Sequence, residues 1–89
     1  MIYNDVEKEK YIYRTFEPDS IQDSDLVWHR DKRDRKVLVV AGDNWQLQFD
    51  DQLPIELTVD DLVVIKANFY HRLIKKENSN KLILRIEEV

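Results

Sequence analysis

The sequence predicts an all-β domain, with about eight short antiparallel strands folded as a sandwich or a closed barrel. Three observations carry this. β-Branched and aromatic residues come in short runs separated by polar turn residues. Within Asn44 to Asp50, Trp45, Leu47 and Phe49 share one face and Asn44, Gln46 and Gln48 the other, the period of a half-buried strand. Helix signals are scarce, and the densest apolar run, Lys36 to Ala41, is too short to read as a helix. A chain of 89 residues makes one domain with a thin core. An open sheet of this size would leave edges liable to pair with other chains, which closure or dimerisation removes.

In chain order, residues 1–10 read as an N-terminal arm, in which Asp5 to Lys10 is either a helical turn or a disordered segment, and residues 11–89 as the barrel domain. Tyr11 to Phe16 is the first expected strand. Leu26 to Asp31 is the second, after the polar loop Glu17 to Asp25. Lys36 to Ala41 follows, then Gly42-Asp43, where a leading glycine suits a tight hairpin turn. Asn44 to Asp50 comes next and turns at Asp51-Gln52. Pro54 to Val59 alternates again, with Ile55, Leu57 and Val59 on one face. Asp60-Asp61 turns into Leu62 to Ile65. Phe69 to Lys75 and Lys81 to Glu87 close the chain around the polar loop Glu77 to Asn80.

Composition excludes several functions. With no cysteine there is neither a disulfide nor a thiolate metal site. Gly42 is the only glycine, so no glycine-rich phosphate loop exists. The net charge of −4, with no interleaving of basic and aromatic residues, argues against nucleic acid as a partner. No apolar run is long enough to cross a bilayer, and the polar, acidic Met1 to Lys10 is unlike a secretory signal, so a cytoplasmic protein without a membrane partner is expected.

The two histidines are the side chains that titrate nearest neutral pH. His29 and Asp31, two apart on an expected strand, point to one face. The same parity continues through Arg33 and Arg35 to the apolar Val37 and Val39, so the row is expected to face the core. His71, in step with Phe69 and Leu73, is also expected to face inward. Two imidazoles and a carboxylate converging inside a barrel form the donor set of a 2-His-1-carboxylate metal site. The competing reading is a pair of hydrogen-bonded structural histidines. His29 to Lys36 holds five basic and two acidic residues. It reads either as a solvated loop with internal ion pairs or as an anion site in which Arg33 or Arg35 forks onto a carboxylate or phosphate. Trp45 and Phe49 read as core. Trp28 has the parity opposite to His29, and Tyr70 is expected to point outward.

Trp28 to Asp31, Lys36 to Gly42, Leu57 to Ala67 and His71 to Leu73 together resemble the small single-domain cupins, over roughly Leu26 to Glu87. The first cupin motif runs His-x-His, a short gap, Glu, six residues and Gly. Counting back from Gly42 places Arg35 at the Glu position, Asp31 at the second His and His29 at the first. In the second motif Asp60, Lys66 and Asn68 stand at the Gly, Pro and Gly positions, and His71 matches the His. The resemblance implies a jelly-roll β-barrel and, together with the thin core, a homodimer; Leu38 and Val40, out of phase with the inward row, are candidates for the dimer face or for a second sheet. It implies an interior pocket lined by His29, Asp31, Arg33, Arg35 and His71. A cation cannot ligate a metal, so Arg35 departs from the motif. The expectation is therefore a cupin-like barrel that binds a small anionic molecule through Arg35 without a full metal-ligand set. The alternatives are a metal-dependent enzyme of oxygenase or isomerase type, with iron, manganese, nickel or zinc on His29, Asp31 and His71, and a non-catalytic association module.

Overall fold

The structure is a computed structural model that describes residues 2–89. Eight strands form two antiparallel sheets. They are β1 (Asn4–Lys8), β2 (Tyr11–Phe16), β3 (Arg35–Ala41), β4 (Trp45–Phe49), β5 (Ile55–Glu56), β6 (Leu62–Ile65), β7 (His71–Lys75) and β8 (Leu82–Glu88). The five-stranded sheet has the order β1-β2-β8-β3-β6, and the three-stranded sheet the order β5-β4-β7.

The core lies between the sheets because the alternation of each strand sends one row inward. Val37 and Val39 of β3, Leu82, Leu84 and Ile86 of β8 and Phe16 of β2 come from the larger sheet, and Trp45 and Leu47 of β4 from the smaller; all are buried. The Phe16 and Trp45 rings pack at 6.0 Å across the gap. Trp45 is fully buried and satisfies its indole N–H by donating to the Asn80 carbonyl at 2.6 Å.

Four expectations need correction. The segment Asp5 to Lys10 is neither a helical turn nor a disordered arm: its residues through Lys8 belong to β1, in register with β2 from Asn4↔Thr15 to Lys8↔Tyr11. Met1, the first residue of the expected arm, lies outside the described residues. Leu26 to Asp31 is not a strand. The long connection from β2 to β3 holds two single-turn 3₁₀ helices, Pro18–Ser20 and Asp23–Asp25, and then touches the edge of β7 through one antiparallel bridge, His29↔His71. Pro54 to Val59 shrinks to the two-residue β5, with Leu57 buried while Ile55 and Val59 stay exposed. Gly42 does not close a hairpin, since β3 and β4 lie in different sheets. It instead turns the chain from one sheet to the other at φ +124°, a conformation that L side chains rarely adopt.

Candidate functional site

The polar residues gather where the β2–β3 connection meets β7. The bridge is made by main chain alone. His29 N donates to the His71 carbonyl at 3.0 Å, and His71 N donates to the His29 carbonyl at 2.9 Å. Next to it, Asn68 N donates to the Asp31 carbonyl at 2.7 Å, and Ala67 N donates to Asp34 Oδ1 at 2.8 Å. These bonds place His29 and Asp31 against the segment that enters β7. The reversal of chain direction before β7 relies on Asn68 at φ 67°, and that before β6 on Asp60 at φ 76°. Both stand at the glycine positions of the motif, and Asn and Asp are the side chains that best tolerate the left-handed region.

The imidazoles of His29 and His71 approach to 4.3 Å between centroids. Each Nδ1 lies on the carbonyl two residues earlier, His29 on Val27 at 3.0 Å and His71 on Phe69 at 2.9 Å. A carbonyl only accepts, so both Nδ1 atoms carry a proton, and the lone pair of a neutral ring is then on Nε2. His71 is buried, and that burial pushes its pKa below the ordinary histidine value, with His29 and Arg35 acting in the same direction against the Phe69 carbonyl and Asp31. His71 Nε2 then faces Asp31 Oδ2 at 3.4 Å. Arg35 Nη1 lies 3.5 Å from the same oxygen, and its Nη2 is 3.4 Å from Glu88. Asp31 Oδ2 and Arg35 Nε are nonetheless buried without a hydrogen-bond partner.

One ligand atom from each of His29, Asp31 and His71 lies within 4.8 Å of the others. Three donors around one ion at ~2.1 Å stand about 3.0–3.5 Å apart, so ion binding would draw the exposed His29 ring inward. The donor set, two imidazoles and one carboxylate, is of the type that holds a divalent ion. These residues open onto a cavity of about 330 Å³ between the sheets.

Of the residues singled out from sequence, His29, Asp31, Arg35 and His71 line this cavity. Arg33 does not. The chain bends at Lys32 and Arg33, which breaks the strand parity and leaves Arg33 exposed. Phe69 is also exposed, because the segment before His71 is a turn and not strand. His29 sits at the exposed rim rather than in the interior. On the opposite side of the bridge, Trp28 lies under Arg72 at 4.6 Å and Tyr70 under Arg30 at 5.3 Å. Tyr3, Arg14 and Asp25 also line the cavity and were not singled out. Arg14 shares its parity with the buried Phe16, the one signal that pointed inward.

No family model matches the sequence, and no curated protein matches it. Solved structures do. A cupin-2 domain protein from Shewanella frigidimarina superposes with a TM-score of 0.66 at 26% identity, over 98% of this chain and 79% of that one. A cupin domain from Bordetella pertussis gives 0.64 at 17% identity, over 99% and 92%. The chain has a small cupin fold. A Neisseria meningitidis protein superposes with a TM-score of 0.64 at 16% identity, over 98% of this chain and 81% of that one, so the fold is shared where little sequence is. Among the described residues no helix is long and apolar enough to cross a membrane.

Proposed function

We propose that this cupin binds a divalent metal ion on His29, Asp31 and His71, and that the ion recruits a small anionic molecule into the cavity. One observation carries the reading. A buried carboxylate oxygen without a hydrogen-bond partner faces the lone pair of a buried, neutral imidazole at 3.4 Å. Two acceptors at that distance repel unless a cation lies with them. Arg35 supplies this poorly, since it reaches Asp31 Oδ2 only at 3.5 Å and is shared with Glu88.

Arg14 is likewise spent on Asp5, through bonds of 2.8 and 2.9 Å. The basic groups around the cavity are thus matched by carboxylates, and an anion needs a further positive charge to hold it there. A bound divalent ion would supply that charge and act as a Lewis acid toward a ligand oxygen. The protein's part is to fix the two rings through the Val27 and Phe69 carbonyls and to keep water from the inner cavity.

A second reading has one observation behind it: Arg35 Nε is a buried donor with no partner. In that case an anion binds Arg35 directly without metal. Calorimetric titration of chelator-stripped protein with Mn²⁺ and Zn²⁺ separates the two. The metal reading expects one site per chain, lost in Asp31→Asn. Absent metal binding, together with thermal stabilisation by small carboxylates that disappears in Arg35→Gln, supports the second reading instead.

A further inference from the structure

We infer that the ligand is an amphipathic acid, with one anionic head at the His29–Asp31–His71 end and an apolar body between the sheets, and not a sugar or another polyol. The metal reading enters only through the head group. Twelve of the nineteen residues lining the cavity are aliphatic or phenylalanine. Its inner walls are buried core side chains from both sheets, Val37, Leu84 and Ile86 facing Leu47, with Leu57 and Ile65 beside them.

Polar groups are confined and mostly engaged. His71 Nε2 and Arg35 Nη1 both lie within 3.5 Å of Asp31 Oδ2. Arg14 makes its two bonds to Asp5 and stacks on the Tyr3 ring at 3.8 Å. Asp25 Oδ2 accepts from Gln22 N at 2.9 Å. Among the described lining residues there is no serine, threonine, asparagine or glutamine, and Tyr3 has the only hydroxyl.

A polyol body in this space would bury hydroxyls with no partners, each weakening binding by about tenfold. A methylene there gains about fourfold. The lining thus selects against hydroxylated ligands, while the polar end accepts a single charged head.

The test is calorimetric titration of Mn²⁺-loaded protein with acetate, butanoate, hexanoate and octanoate, and with gluconate as a polyol carrying the same head. Affinity is expected to rise about fourfold per methylene until the cavity is filled, with gluconate no tighter than acetate. Val63→Phe, which narrows the cavity, is expected to weaken octanoate more than acetate. The wild-type series stands without that variant. A flat series, or gluconate binding more tightly than hexanoate, overturns the inference even where Mn²⁺ binds. The series is repeated on metal-free protein. A slope that persists there when Mn²⁺ does not bind supports the apolar body and removes the metal reading alone.

Discussion

His29 and His71 stand opposite each other across a main-chain bridge, 3.0 and 2.9 Å in its two hydrogen bonds, with their rings 4.3 Å apart. Because backbone sets the pairing, neither imidazole is needed to make it. His29 is exposed, so His29→Ala is expected to change stability by less than about 0.5 kcal/mol. The same substitution removes one of three ligands and is expected to lower metal affinity by ~100-fold or more. Urea denaturation and metal titration of one preparation check both. A large stability loss with metal affinity retained would show that the ring is a structural element.

Arg35 opposes the ion that the histidines favour. Its guanidinium lies 3.5 Å from Asp31 Oδ2, with both side chains largely shielded. A positive charge so close to a metal ligand lowers metal affinity. Arg35→Gln is expected to tighten Mn²⁺ binding by about tenfold, or ~1.4 kcal/mol. Weaker binding in this variant would mean that Arg35 positions Asp31 rather than competing for it.

His71 also couples stability to pH. Burial keeps its folded-state pKa below the unfolded value near 6.5. As pH falls below that value, the unfolded chain takes up a proton that the folded chain still refuses, so stability declines with falling pH. It is fully present above about pH 7 and is lost as pH drops through the folded-state pKa. Melting temperatures of metal-free protein are expected to be level above pH 7 and to fall from about 6.5 downward, with a shallower fall in His71→Gln. A wild-type profile that stays level from pH 6.5 to 5 would contradict this.

Gly42 is constrained twice over. At φ +124° a side chain is strained, and a Cβ there would meet Leu82 Cα, Leu82 Cδ1 and the Lys81 carbonyl at 3.0 Å. Gly42→Ala is expected to cost about 1–3 kcal/mol, read from urea unfolding. A change under ~0.5 kcal/mol would show that this sheet-to-sheet turn adapts freely.

The sequence made the fold legible where alternation met burial. Trp45 and Leu47, Val37 and Val39, and the row Leu82, Leu84 and Ile86 all face the core. Strand β1 was illegible because every one of its residues is exposed: it forms by pairing with β2, not by burying a face. The expected strand Leu26 to Asp31 failed for the converse reason. Its apolar residues Val27 and Trp28 stay exposed, and only His29 pairs. The expected and observed strand totals agree only because these two errors offset each other.

The candidate site was legible in its membership more than in its cause. His29, Asp31 and His71 do come together, but through a bridge and a bond from Asn68 to the Asp31 carbonyl, not through one continuous strand row. Parity carried across the bend at Lys32 and Arg33 reached Arg35 correctly and misplaced Arg33. Sequence spacing cannot show such a bend, because it is fixed by the bonds of Asp31 and Asp34 to residues more than thirty positions away.

The most direct test is an anomalous difference map from crystals of the untagged protein grown with Mn²⁺. The account predicts one strong peak per chain, enclosed by His29 Nε2, His71 Nε2 and an Asp31 carboxylate oxygen. A map with no peak there, or with Asp31 closed onto Arg35 at saturating Mn²⁺, would contradict it.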